Sequence, residues 1–190
     1  AAADGLVWVA GTDGNVTAFD PEARAWRTNA TWNVGAPIRS LVAWQDALCV
    51  ATEKGLFRRG ADGATAARLD GANAVRDIKG CWATSTGLWF FAQNELSLVT
   101  APDTPPRTIE GSSAWGPIHA VAELDNSILV GADQGLFVCG GDGTFRARYD
   151  RTSGLSADAI GAIATDSGSV WLGTLGGGLS RVSAAALRGR

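Results

Sequence analysis

The 190-residue chain contains no methionine, a single histidine at His119 and lysine only at positions 54 and 79. One histidine excludes a multi-histidine metal site and leaves at most one imidazole base. Cys49, Cys81 and Cys139 are odd in number and lack C-x-x-C spacing, so neither a disulfide framework nor a zinc site is indicated. They read as buried thiols acting as small hydrophobes. No apolar run approaches the roughly 20 residues that cross a bilayer, and no charged segment followed by an apolar one opens the chain. The net charge is −3 with a pI near 5.1, and no run of Lys or Arg would neutralise a series of phosphates, so nucleic acid is not an expected partner. Since the first residue is Ala1 and Met is absent, the chain is expected to be processed or excised from something longer. No segment shows sustained helical periodicity.

What is present is glycine and tryptophan, 25 and eight residues, in a chain that is 46% hydrophobic and only 18% charged. That balance is far from the disorder signature and points to a packed core. Self-similarity organises it. "LVWVAGTDGNVTAF" from Leu6 returns in degenerate form as "ALCVATEKGLFRR", "GLWFFAQNELSLV", "SILVGADQGLFVC" and "SVWLGTLGGGLSRV". Aligning Val7, Leu48, Leu88, Ile128 and Val170 gives steps of 41, 40, 40 and 42 residues. Each unit reads as an apolar run, a turn with Gly or polar residues, and a second run, which is a hairpin. Gly176, Gly177 and Gly178 therefore fall in a turn where positive φ is expected, and no helix with a phosphate-loop pattern follows them.

A further strand-like run precedes four of the hairpins, at "IRSLVAW", "VRDIKGCW", "IHAVAEL" and "IGAIATD", and others follow at "AWRTNATW", "TAARLD", "PRTIE" and "FRARYD". Four strands per unit, A to D, make the blade of a β-propeller. The expected fold is all-β, a propeller of about five four-stranded repeats at 1–34, 35–72, 73–113, 114–155 and 156–190. These form a single propeller domain or a propeller fragment. "AAADG" is too short for strand A of the first unit and "SAAALRGR" is a poor strand D for the last. Eighteen strands do not complete five blades, so the chain is expected to be part of a larger ring, completed by remaining blades, a partner or another copy.

"GLSADAIGAIATDSGSVWLGTLGGGLSRV", Gly154 to Val182, resembles the two-component regulator propeller repeat, with its small loop, V-x-A-I-like strand, Asp and Gly turn, W-I-G-T and G-G-L hairpin. The resemblance implies an extracytoplasmic sensor region, periplasmic or extracellular, of a bacterial signalling protein. In that family propellers recognise ligands such as glycans and help to dimerise the receptor.

Candidate site residues follow from the repeat. The position after the first apolar residue of each A strand holds Arg39, Arg76, His119 and Gly161, and aligned positions repeat near one mouth of a propeller channel. Two arginines and a protonated histidine there would hold a carboxylate through charge-assisted hydrogen bonds. The competing reading pairs them with neighbouring acids such as Asp77. Trp32 and Trp115, each ahead of a Pro-Ile pair in a D to A loop, either stack on a sugar ring or wedge between blades. Trp8, Trp89 and Trp171 in strand B are assigned to packing. The expected function is non-catalytic recognition of an acidic oligosaccharide or other anionic ligand, with no cofactor, no metal and no catalytic residue. Alternatives are a protein-binding scaffold and a propeller lyase or hydrolase with His119 as base.

Overall fold

The computed structural model describes residues 1–60, 63, 66–70, 77–92 and 95–188. Five sheets follow one another along the chain, each built from consecutive strands. The first sheet contains β1 (Ala2–Ala3), β2 (Leu6–Ala10), β3 (Asn15–Asp20) and β4 (Ala25–Asn33). The second contains β5 (Ile38–Trp44), β6 (Ala47–Thr52), β7 (Gly55–Arg59) and β8 (Ala66–Arg68). In the third are β9 (Ile78–Thr84), β10 (Gly87–Ala92), β11 (Glu95–Val99) and β12 (Arg107–Thr108). The fourth has β13 (Ile118–Leu124), β14 (Ser127–Ala132), β15 (Gly135–Gly140) and β16 (Phe145–Tyr149). The fifth has β17 (Ile160–Thr165), β18 (Ser169–Thr174) and β19 (Gly178–Ser183), followed by α1 (Ala184–Arg188). In every sheet the spatial order is the chain order, the meander expected of a blade.

The start of the chain corrects the strand count, and its end agrees with it. A strand A does form in the first sheet: two residues of β1 pair with β2, Ala2 opposite Val7 and Ala3 opposite Leu6. The turn between them is Asp4-Gly5, with φ of 54° and 73°, and this left-handed pair matches the twist of a tight hairpin. At the other end the alanine-rich run after Ser183 is helical and not a fourth strand, in line with the helix preference of Ala, Leu and Arg. Nineteen strands result among the described residues.

The chain divides into two units, one comprising Ala1–Ala83, Gly87–Gln93 and Ser97–Arg107, the other Thr84–Thr86, Asn94–Leu96 and Thr108–Arg190. In the first unit Trp8, Val16, Ala18 and Trp32 of the first sheet share a core with Leu48 and Val50 of the second. The opposite face of the second sheet, with Cys49, Ala51 and Leu56, meets Ile78, Leu88 and Phe90. In the second unit Leu129, Leu136 and Val138 pack with Ile160, Val170 and Leu172, and α1 adds Ala184 and Leu187. All six residues of β10, β14 and β15 are buried, and Ser127 is the one polar side chain among them. β3, with one face open, alternates instead.

The triple glycine is a turn, as its position in the repeat requires, but its members differ. Gly176 and Gly178 have φ of 99° and 80°. Gly177 lies outside the left-handed region and is needed for space, because a Cβ there would stand 2.8 Å from the Ser156 carbonyl oxygen.

Candidate functional site

Arg39, His119 and Gly161 each occupy the second position of their A strand, and each falls at a break in pairing register. The breaks lie between Ile38 and Ser40, Ile118 and Ala120, and Ile160 and Ala162. A bulge at this point re-aims the side chain of the unpaired residue. In β9 the strand starts at Ile78, so the corresponding residue is Lys79. Arg76, singled out from the sequence, lies outside the described residues. The period of 40 points to Lys79, midway between Arg39 and His119; the earlier apolar residue Val75 gave a competing strand start.

The acids expected to neutralise this position are present. Lys79 Nζ is 2.6 Å from Asp77 Oδ2, and His119 Nε2 is 2.7 Å from Asp133 Oδ1 in the turn between β14 and β15. Arg39 is exposed and forms no ion pair among the described residues. The tryptophans are placed differently from the sequence reading. Trp32 belongs to β4, opposite Val16, and its indole is buried in the first unit's core. Trp115 closes a 3₁₀ turn, Ser112–Trp115, and stacks on Phe137 with ring centroids 4.4 Å apart and planes at 13°. Both rings are engaged in packing and present no open face to a sugar.

A different group of residues in the first unit has the properties of a recognition site. At the end of the second sheet away from Arg39, a cavity of about 210 Å³ is lined by Asp4, Trp8, Asp46, Leu48, Arg58 and Arg59, with Ala47 and Gly60. Asp4 and Asp46 sit in the tight turns that join β1 to β2 and β5 to β6, both in the left-handed region. Trp8 is buried, yet its indole Nε1 has no acceptor from the protein, and neither has Nε of Arg58. Buried donors ordinarily find partners, and in the same core Trp32 Nε1 lacks one as well. The guanidinium of Arg58 is oriented by a 3.1 Å hydrogen bond from Nη2 to the Gln45 carbonyl. Arg59 lies over the Trp8 ring at 4.7 Å and donates Nε to the Gly63 carbonyl at 2.9 Å. Two guanidiniums suit an anionic group, and the carboxylates of Asp4 and Asp46 are of the kind that accept from hydroxyls. The sequence reading assigned Trp8 to packing alone. The signal it missed is the Arg58-Arg59 doublet ending strand C, where "ELSLV" and "GLFVC" are largely apolar.

The thiols stay out of this chemistry. Burial pushes Cys49 and Cys139 up to about 12 and Cys81 up to about 11, so the nucleophilic thiolate is suppressed at neutral pH. Native protein should therefore leave all three unmodified by a thiol reagent for as long as it remains folded, with full labelling in denaturant. Rapid labelling of the native state would contradict their burial. Among the carboxylates, hydrogen bonds from Asn15 hold Asp13 below the usual range, the Gly168 amide and Trp171 do so for Asp166, and Thr152 does so for Asp150. Among the described residues no group of three or more His, Cys, Asp or Glu could hold a metal ion.

No protein-family model and no curated protein matches the chain. Solved structures do. The computationally designed Ika8 protein matches with a TM-score of 0.71 at 14% identity over 96% of this chain and 57% of its own. The extracellular domain of BT4673 from B. thetaiotaomicron, assigned to the one component or hybrid two component systems, matches with a TM-score of 0.73 at 18% identity, over 95% of this chain and 26% of its own. The WD40 β-propeller domain of Doa1 matches with a TM-score of 0.71 at 12% identity, over 97% and 63%. The chain thus spans less than two thirds of each of these proteins. At such identities the likeness establishes the fold, and the fold is that of a β-propeller.

Proposed function

We propose that the chain is a non-catalytic recognition propeller of the two-component regulator type, acting outside the cytoplasm and binding a small polyhydroxylated carboxylate. A sugar acid, free or as the terminal residue of an acidic oligosaccharide, is the class that fits. The carrying observation is the cavity whose lining combines the Arg58 and Arg59 side chains with Asp4, Asp46 and the Trp8 ring. Its size suits one sugar ring and not a drug-sized molecule. The carboxylate accepts from the Arg58 and Arg59 guanidiniums; hydroxyls donate to the two aspartates. The likeness to the extracellular domain of BT4673 supports the extracytoplasmic setting. Strand-A residues Arg39 and His119 then belong to a second, more solvated polar region of their respective sheets.

The test is a thermal-shift titration with glucuronate and galacturonate, using glucose as the neutral control. Ligand that binds only the native state raises the melting temperature by mass action. The uronates should raise it for the wild type and for Arg39→Ala, and fail to do so for Arg58→Gln. A shift lost in Arg39→Ala but kept in Arg58→Gln would transfer the site to the strand-A position. No shift with either acid would overturn the sugar-acid reading.

A further inference from the structure

The second unit holds a polar cleft of its own. It measures about 470 Å³ and is lined by Thr86 in the turn between β9 and β10, Asn126 in the turn between β13 and β14, Gly141 and Asp142 in the turn between β15 and β16, and Arg146 of β16. All five residues belong to that unit.

Arg146 stands in the cleft because the ladder slips. Val138 pairs with Ala147 and Cys139 with Phe145, which leaves Arg146 as the extra residue of a bulge. Such a residue is unpaired and its side chain is re-aimed. The guanidinium crosses to β14, where Nη1 donates to Ser127 Oγ at 3.1 Å. Gly140 makes room for it: a Cβ there would stand 3.1 Å from Arg146 Nη2 and 2.7 Å from Asp142 Oδ1. Gly141 does the same for the opposite wall, since a Cβ there would meet Thr86 Cγ2 at 2.6 Å and Asn126 Oδ1 at 3.1 Å.

The charges are arranged unusually for this chain. Arg27, Arg68 and Arg148, also on strands D, are ion-paired with Asp20, Asp70 and Asp150. Arg146 forms no ion pair among the described residues, although Asp142 approaches the same glycine. The Asp142 carboxylate is held by Thr144, whose amide donates to Oδ1 at 3.0 Å and whose hydroxyl donates to Oδ2 at 2.8 Å. An ionised carboxylate has about four acceptor sites, so these bonds fix it without exhausting it. The cleft thus presents one positive and one negative group side by side, and the Asn126 amide adds both a donor and an acceptor.

We propose that this cleft binds a free α-amino acid through its zwitterionic main-chain groups. The α-carboxylate accepts from the Arg146 guanidinium in a charge-assisted pair, and the α-ammonium donates to Asp142 and to Asn126 Oδ1. A ligand of net charge zero matches a lining of net charge zero, whereas a simple anion would meet Asp142 and a simple cation would meet Arg146. A sugar ring fits less well, because no aromatic or large aliphatic side chain lines the cleft for its apolar face, in contrast to Trp8 in the first unit's cavity. The volume leaves room for the ligand's own side chain.

A thermal-shift screen of the whole chain against the common L-α-amino acids, added singly, tests this. At least one should raise the melting temperature of the wild type. The N-acetyl and carboxamide derivatives of that amino acid, which each lack one of the two main-chain charges, should not. The rise should be lost in Arg146→Gln and in Asp142→Asn. Both positions are exposed, and Asn retains an acceptor for the Thr144 amide, so each variant should melt with the wild type when no ligand is added. No response to any amino acid, an equal response to either derivative, or a response that survives in Arg146→Gln would each overturn the zwitterion site.

Discussion

Replacing Phe90 with Ala should lower the unfolding free energy by about 3–5 kcal/mol, the range for emptying a fully buried aromatic position. Phe90 lies in β10, where all six residues are buried, and shares a core with Ala51, Leu56 and Val99. Removing the ring loses its transfer free energy and leaves a cavity, because β10 is closed in on both faces and can collapse only partly. Urea unfolding of the first unit's signal measures the effect as a fall in midpoint. A loss under about 1 kcal/mol, far below the range for a buried ring, would mean that the second and third sheets are not packed as described.

The second large effect is expected at Gly135, the first residue of β15. Its φ is 138°, a region L side chains avoid, and a Cβ there would stand 2.5 Å from the Tyr149 carbonyl oxygen on β16. Gly135→Ala therefore combines backbone strain with a clash against main chain, at about 1–3 kcal/mol for each, and should cost roughly 2–6 kcal/mol in all. Tyr149 cannot move aside without breaking the pairing of Leu136 with Tyr149 in the ladder. The measurement is again the denaturation midpoint. A midpoint within error of the wild type would show that the turn between β14 and β15 relaxes more freely than this geometry allows.

The repeat was legible because it is carried by main-chain periodicity. Steps of 40–42 residues between strand B positions, and apolar runs divided by Gly-bearing turns, fix the hairpins whatever their neighbours do. Features that depend on packing were not legible. β1 has only two residues, too few for any pattern, and it is stabilised by the Asp4-Gly5 turn; that dipeptide was the available sign. Trp171 follows the same sequence rule as Trp8 and Trp89, yet its face is open, and exposure depends on what lies across the sheet. Trp32 and Trp115 carry the composition of ligand-stacking residues but spend their rings on the cores of their own units. The cavity gathers Asp4 and Trp8 from the first sheet with Asp46, Arg58 and Arg59 from the second, residues that no spacing rule unites. Only the strand-A series is a product of the repeat itself, and there the period selects Lys79.

The recognition reading places the ligand beside the Trp8 ring, in the cavity it lines with Arg58 and Arg59. A titration of isotope-labelled protein with glucuronate, followed through the indole N–H signals of its eight tryptophans, observes that ring directly. The Trp8 signal is identified by its absence in Trp8→Phe. It should move progressively as the ligand fills the cavity, saturating together with the rise in melting temperature, while the signals of Trp32 and Trp115 change little. A titration that saturates with the Trp8 signal unmoved, or in which no indole signal responds, would contradict a carboxylate site in this cavity.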